Sequence, residues 1–280
     1  MKFVTYSEAF WKPLHQAFLT SFSDYPVPFQ LTEEEFSIRI RNKLHVTPAL
    51  SVLAVEQDIV AGFILHTLNL YKGSTTAYNG GTGVVPGNRQ VGLAIGMFEY
   101  IWPVIGKYAA RSVLEVITTN KKAIGLYEKL GFRRVQRYQC FKKIAGSSRI
   151  SEQVEVRDCQ LWNPAKYREF RDFDPSFMDS DLQIPHNFLN ERLLEAYVEG
   201  ELAGYVIFQP ATGRISQLAV GPAWRGHYVG STLVRAAEED CGGKRLSVLN
   251  VPEEESGMIL FLEKAGFENQ VDQYEMEKVI

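Results

Sequence analysis

The residues from Gly83 to Gly96, G-V-V-P-G-N-R-Q-V-G-L-A-I-G, carry the clearest chemistry in the chain. A β-branched run ends at Pro86, which stops a strand. A loop with Arg89 comes next, and Gly92 and Ala94 then stand at the mouth of an apolar segment whose composition predicts a helix. A strand that feeds a helix through a small-residue turn offers backbone N–H groups to an anion. That is the pattern of a pyrophosphate cradle, and small residues at 92 and 94 let the backbone approach the ligand closely. The plainer alternative is a tight strand–helix turn whose glycines serve packing only.

The elements around this stretch are set by period and punctuation. Lys2 to Tyr6 reads as a strand, and Ser7 is placed to cap a helix in which Phe10, Leu14, Phe18 and Phe22 recur at helical spacing. Two prolines make the segment from Asp24 to Pro28 a loop, and Tyr25 and Phe29 beside it are candidates for lining an acceptor cleft or for local packing. Thr32-Glu33-Glu34-Glu35 has the form of a capping box, so a second helix runs from there towards Lys43. Val52 to Val55 and Ile59 to Leu70 flank a Gln57-Asp58 turn and predict a hairpin, and a third strand spans about Thr75 to Val85. The helix after the glycine turn reaches about Lys107, with Pro103 kinking or fraying its last turn. Ser112 to Thr118 alternates as a strand. A short helix runs from Asn120 to Leu130, with Gly131 as a left-handed cap. Strands near Arg133 to Gln136 and Tyr138 to Lys143 complete the unit. Residues 146–153 are small, polar and aperiodic, the composition of a linker.

The second half of the chain repeats the first. Ala61-Gly62-Phe63 recurs as Ala203-Gly204-Tyr205, and Val84-Val85-Pro86-Gly87-Asn88-Arg89 as Val220-Gly221-Pro222-Ala223-Trp224-Arg225. Leu126-Tyr127-Glu128-Lys129-Leu130-Gly131-Phe132 recurs as Phe261-Leu262-Glu263-Lys264-Ala265-Gly266-Phe267. Pro222 lies 136 residues after Pro86, and Phe267 lies 135 after Phe132. A period this long marks a duplicated domain rather than a solenoid. A chain of 280 residues also suits two domains, about 1–145 and 154–280.

Two motifs, Val-x-Pro-x-x-Arg-x-x-Gly-x-Ala (Val84 to Ala94) and Asn-x-x-Ala-x-x-Leu-Tyr-Glu-Lys-Leu-Gly-Phe (Asn120 to Phe132), now stand in order, with a second copy behind them. Together they resemble the GNAT superfamily of acyl-CoA-dependent N-acyltransferases. The resemblance implies an α/β (α+β layered) fold of two tandem GNAT-like domains, each a mixed, mostly antiparallel central sheet flanked by helices. It implies acetyl-CoA as co-substrate, with Thr82, Gly83 and Val84 facing the pantetheine arm where the third strand splays from its parallel neighbour. Gln90, Val91, Gly92, Leu93, Ala94 and Ile95 would wrap the pyrophosphate, and Arg89 would add charge at the same turn. The residues agree with that ligand, because a pantetheine arm carries amides that can pair with a free strand edge.

Acetyl transfer to an amine needs a deprotonated nucleophile, a stabilised oxyanion and a proton for the leaving thiolate. The resemblance places Tyr127 beside the thioester sulfur. A phenol of pKa about 10 holds its proton at neutral pH and can give it to a thiolate, whose ordinary value is about 8.5. The alternative is a half-buried helix tyrosine packed on the sheet. A backbone N–H on the Val84 strand is the candidate oxyanion donor. The Asn120 side chain is placed either to bond the arm and adjacent backbone or to cap its helix. No residue is singled out as the base: Glu56, Glu115 and Asp24 carry no signal above that of a solvated carboxylate.

The second copy departs at two of these positions. Tyr228 stands where Gly92 does, and a phenol there should crowd the cradle; Leu262 stands where Tyr127 does, and leucine has no proton to donate. Asn250 is displaced from its helix by five further residues relative to Asn120. The expectation is a catalytic first domain and a degenerate second one.

Composition bounds the remaining possibilities. A net charge of −3 gives no basic excess for nucleic acid. Cys140, Cys159 and Cys241 form no paired framework and fit a reducing cytoplasm. The first residues lack the apolar core of a signal peptide, and no window approaches a membrane span. His15, His45, His66, His186 and His227 have no metal-ligand spacing, and the runs Glu33–Glu35 and Glu253–Glu255 read as helix N-terminal charge. The leading expectation is acetyl transfer to a primary amine of a small molecule, with no metal and with neither nucleic acid nor membrane as partner. The competing ones are an acyl-CoA sensor without turnover and a tandem transferase for a peptide or aminoacyl acceptor.

Overall fold

The computed structural model describes residues 1–24, 30–89, 91–144, 146 and 149–280. In chain order the first elements are β1 (Lys2–Thr5), α1 (Trp11–Ser21), α2 (Glu33–Ser37), β2 (Val52–Glu56), β3 (Ile59–Tyr71), β4 (Ser74–Val84), α3 (Leu93–Ile105), β5 (Arg111–Ile117), α4 (Lys121–Lys129) and β6 (Arg133–Lys143). After the linker come β7 (Val154–Cys159), α5 (Ile184–Asn187), β8 (Arg192–Val198), β9 (Glu201–Gln209), β10 (Arg214–Val220), α6 (Val229–Asp240), β11 (Ser247–Pro252), α7 (Ser256–Lys264) and β12 (Phe267–Val279).

Packing divides the chain into two units. One comprises Met1–Val135 together with Glu275–Ile280, the other Gln136–Tyr274. The sequence repeat runs 1–145 and 154–280, whereas the second unit takes in most of β6 and the first takes in the end of β12. Most of β6 belongs to the second unit, where it pairs antiparallel with β11. The end of β12 belongs to the first unit, where it is β5's neighbour. Glu275 is buried there and accepts hydrogen bonds from the Tyr71 hydroxyl and the Lys72 ammonium, both at 2.9 Å. Arg111 pairs with Glu277 at 2.6 Å.

Within the first unit β1, β2, β3 and β4 are antiparallel neighbours, and β4 runs parallel to β5. Within the second, β7, β8, β9 and β10 repeat the antiparallel meander, and β10 runs parallel to β11. The hairpins close through two-residue turns with left-handed backbone at both positions: Gln57 and Asp58 (φ 49° and 65°), Lys72 and Gly73 (46° and 75°), Glu199 and Gly200 (53° and 83°). That backbone matches the twist of the flanking strands. Gly62 and Gly204 occupy matching places where a helix leans on the sheet. A Cβ at Gly62 would meet Met97 of α3 at 3.1 Å, and one at Gly204 would meet Val229 of α6 at 3.1 Å.

Several expectations hold and some change. The Thr32 box forms in full: the Glu35 N–H donates to the Thr32 hydroxyl and the Thr32 N–H to the Glu35 carboxylate. The helix continues through a π-helical turn, Ile38–Lys43. Gly131 takes the left-handed cap, φ 89°. Ser7, by contrast, makes no side-chain cap; a single 3₁₀ turn, Glu8–Phe10, precedes α1. The two strands expected between Arg133 and Lys143 are one continuous β6.

Two buried polar groups mark the cores. His66 is fully buried on β3; its Nδ1 lies 2.8 Å from the Leu50 carbonyl and its Nε2 has no hydrogen-bond partner among the described residues. Burial pushes its pKa down to about 4. In the second unit Glu195 accepts from the Tyr167 hydroxyl at 2.5 Å, the Tyr197 hydroxyl at 2.7 Å and the Lys166 ammonium at 2.6 Å. No helix among the described residues is long and apolar enough to cross a membrane.

Candidate functional site

The feature that could hold an extended ligand is a parallel strand pair that parts. β4 and β5 pair from Thr76 with Arg111 to Asn79 with Leu114; beyond that β4 continues to Val84 and β5 to Ile117 without pairing. A bulge at Gly80 starts the divergence, the register against β3 jumping from Asn79–His66 to Gly81–Leu65. Only glycine fits at 80, since a Cβ would lie 2.1 Å from Leu44.

On the splayed segment Thr82 accepts a hydrogen bond from the Asn79 amide at 2.8 Å. Gly83 sits opposite Phe63, and a Cβ there would lie 2.3 Å from that ring. Its smallness therefore has a packing cause. Val84 faces Gly62 across the pair, and its carbonyl accepts from Arg89 Nε at 3.0 Å.

Arg89 is a clamp. Besides Val84 it donates to the Ser21 carbonyl at 2.8 Å and, through two nitrogens, to Asp24 at 2.5 and 3.0 Å. Those bonds hold the Asp24 carboxyl below its ordinary pKa. The charge expected at the cradle is thus engaged by the end of α1, and so is one of the three carboxylates considered as base. Glu56 pairs with the N-terminal amine, and Glu115 accepts from the Tyr78 hydroxyl at 2.9 Å.

Gln90 lies outside the described residues, as do Tyr25 and Phe29. Val91 is exposed. Gly92 is the left-handed N-cap of α3 (φ 77°, ψ 5°), and a Cβ there would meet nothing within 4 Å. The Gly96 amide is bonded to the Gly92 carbonyl, which leaves the amides of Leu93, Ala94 and Ile95 without partners inside the helix. These are the donors an anion would use. Of the two roles open to Asn120, the structure has the cap: its side chain accepts from the Ala123 N–H at 3.1 Å. Tyr127 is on α4, 8% exposed, with its ring edge-on to Phe98 and Phe132 at 6.3 and 5.8 Å between centroids.

The second unit reproduces this arrangement. β10 and β11 pair only at Arg214–Ser247 and Ile215–Val248 before parting, and a bulge at Ser216 matches Gly80. Arg225 repeats the clamp, donating to the Val220 and Phe170 carbonyls at 3.1 and 3.2 Å and pairing with Asp172 at 2.9 Å. The partners are spaced differently in the two copies, Ser21 and Asp24 against Phe170 and Asp172.

Between the parted strands a cavity of about 480 Å³ opens, lined by Ile215 to Val220, Tyr228 to Ser231, Val248 to Val251 and Phe261. Its polar lining includes Tyr205, whose hydroxyl accepts from Arg171 and donates to Gln217, both at 2.7 Å. Burial pushes that phenol up to about 12. Motifs alone do not reveal this cavity, which lies in the copy expected to be degenerate.

Tyr228 lines the cavity. The residue keeps the left-handed N-cap geometry of Gly92 (φ 62°, ψ 11°), and its ring is 40% exposed. Leu262 is fully buried where Tyr127 stands in the first copy. Asn250 sits within β11 and donates to the Ser176 hydroxyl at 3.0 Å, while Glu255 takes the N-cap position of α7 without a side-chain cap. Burial, then Asp172 and Glu254, raises the Glu255 pKa. Among the described residues there is no cluster of three His, Cys, Asp or Glu able to hold a metal ion.

Residues 156–267 match the model of the acetyltransferase (GNAT) family. The fold of the whole chain is similar to a putative acetyltransferase from Pyrococcus horikoshii, with a TM-score of 0.74 at 16% identity over 100% of this chain and 89% of that one. It is likewise similar to a tandem GNAT protein from the clavulanic acid biosynthesis pathway, with a TM-score of 0.72 at 15% identity over 99% of this chain and 98% of that one. No curated protein matches the sequence.

Proposed function

Starting from a chain whose fold is similar to a tandem GNAT protein and whose residues 156–267 match the GNAT family model, we propose that it transfers an acetyl group from acetyl-CoA to a primary amine of a small molecule, by direct attack on the thioester. The observation that carries this reading is the parted parallel pair headed by a helix N-terminus, built twice. Such a slot suits a peptide-like arm ending in phosphates: strand-edge groups meet the amides, and helix amides meet the anion. The donor contributes the activated acyl group. The chain's own groups bind it, polarise the carbonyl through an N–H on the Val84 strand, and supply a proton to the departing sulfur from Tyr127.

The first unit is the proposed site of transfer, because it holds a phenol where the second has Leu262. The test measures thiol release from acetyl-CoA over a panel of amines. Tyr127→Phe is expected to lower turnover by about 10²–10⁴-fold with acetyl-CoA binding unchanged; undiminished turnover removes Tyr127 from the acid role. A second reading, acyl-CoA binding without turnover, is favoured by the position of the 480 Å³ cavity in the copy that has Leu262. Tight binding with no thiol release for any amine would select it.

A further inference from the structure

One wall of the second unit's cavity is polar and takes no part in the transfer proposed above. Arg171, from the segment between β7 and α5, lines the cavity with a side chain only 8% exposed. Two of its three nitrogens are committed: Nε donates to the Tyr205 hydroxyl at 2.7 Å, and Nη2 lies 2.7 Å from Asp181. Nη1 has no partner among the described residues. A buried guanidinium is costly unless its donors are met, so an incompletely paired one in a cavity wall has a donor to offer. Tyr205 is held in turn by Gln217 at 2.7 Å, which keeps the guanidinium fixed before any ligand arrives. The first copy has Phe63 and Gly81 at the matching registers, and neither supplies a polar side chain. This arrangement belongs to the second copy.

The charges around the cavity select the sign of a ligand. Three carboxylates that could attract an amine are each matched by an arginine: Asp172 by Arg225 at 2.9 Å, Asp179 by Arg214 at 2.7 Å and Asp181 by Arg171 at 2.7 Å. Lys264 lines the same cavity and has no ion-pair partner among the described residues. The balance favours an anion. Much of the remaining lining is apolar, with Phe170, Phe173, Leu218, Trp224 and Phe261. A cavity of about 480 Å³ with an apolar body and a few convergent polar groups has the form of a small-molecule site. A guanidinium fork held in place matches a carboxylate. We infer that this cavity binds a small carboxylic acid with an aromatic body, its carboxylate on Arg171 and its ring against the apolar lining. The inference stands whichever unit performs the transfer.

Calorimetric titration of the full chain, without acetyl-CoA, tests it with three probes of one shape: 3-phenylpropionate, 3-phenylpropanamide and 3-phenylpropylamine. Wild-type protein is expected to bind the acid at one site, at least about tenfold more tightly than the amide, which is the worth of a charge-assisted hydrogen bond. The amine should bind weakest. Arg171→Gln combined with Asp181→Asn removes the guanidinium without leaving a carboxylate unpaired, and it should erase the preference for acid over amide while amide binding stays as it was. Arg171→Lys keeps the charge but loses the fork, and it should weaken the acid several-fold. Thermal unfolding of each variant shows that it is folded, and the acid–amide comparison in the wild type needs no variant. Equal affinity for acid and amide in the wild type overturns the inference, as does an acid preference that survives in the double variant. Tighter binding of the amine, or no heat of binding from the acid at millimolar concentration, also overturns it.

Discussion

His66 makes the stability of the first unit depend on pH in a calculable way. Its imidazole is fully buried, held at Nδ1 by the Leu50 carbonyl, with Nε2 lacking a partner among the described residues. Burial strips the charged form of its hydration, so the pKa falls from 6.5 to about 4 although the Leu50 carbonyl opposes the shift. The unfolded chain therefore takes up the proton first. The stabilisation is complete above the unfolded value and is lost as pH falls through 6.5 towards 4. Between pH 7.5 and pH 5.0 these two values predict a loss of about 2 kcal/mol, and the ceiling is about 3 kcal/mol. Amide hydrogen exchange in β2 and β3, corrected for intrinsic rates, reads the opening free energy of this unit. His66→Asn keeps an N–H donor near Leu50 and removes the titration, which separates His66 from every carboxylate that also responds to acid. Opening in the wild type should increase about 30-fold more than in the variant across that pH interval. An identical pH response in the two proteins would refute the assignment of this acid sensitivity to His66.

Two further outcomes probe packing. Gly83→Ala puts a methyl 2.3 Å from the Phe63 ring and should destabilise the first unit by about 1–3 kcal/mol, seen as a lower thermal midpoint, whereas Gly92→Ala meets no atom and should cost only about 1 kcal/mol of backbone strain. Glu195→Gln leaves the Lys166 ammonium and two tyrosine hydroxyls with a weaker acceptor and should lower the second unit's stability by about 2 kcal/mol in denaturant unfolding, with the Lys166 contribution reduced by its partial exposure.

Local rules make much of this fold readable. The Thr32 box, the Gln57-Asp58 turn and the Gly131 cap each depend on residues within a few positions of one another, and each forms as its sequence indicates. The parted strands are reached through family resemblance, and the registers of β4 and β10 supply the physical cause, a bulge in each copy. Distant partners are not legible. Nothing near Arg89 says that its guanidinium turns back to Asp24, or that Gly83 is small because of Phe63. The exchange of β6 and β12 ends is invisible to local rules, since both copies spell the same strands whichever unit receives them.

That exchange bears on why a copy with Leu262 persists in the chain. The last six residues, Glu275–Ile280, belong to the first unit, and through Glu275 and Glu277 they engage Tyr71, Lys72 and Arg111. Residues of the first copy, from Gln136 onward, belong to the second. A gene shortened at the linker would thus yield one fragment without the end of β12 and another without β6. Neither half of the chain therefore carries every residue of its own packed unit, and a change of chemistry in one slot leaves the need for both halves untouched.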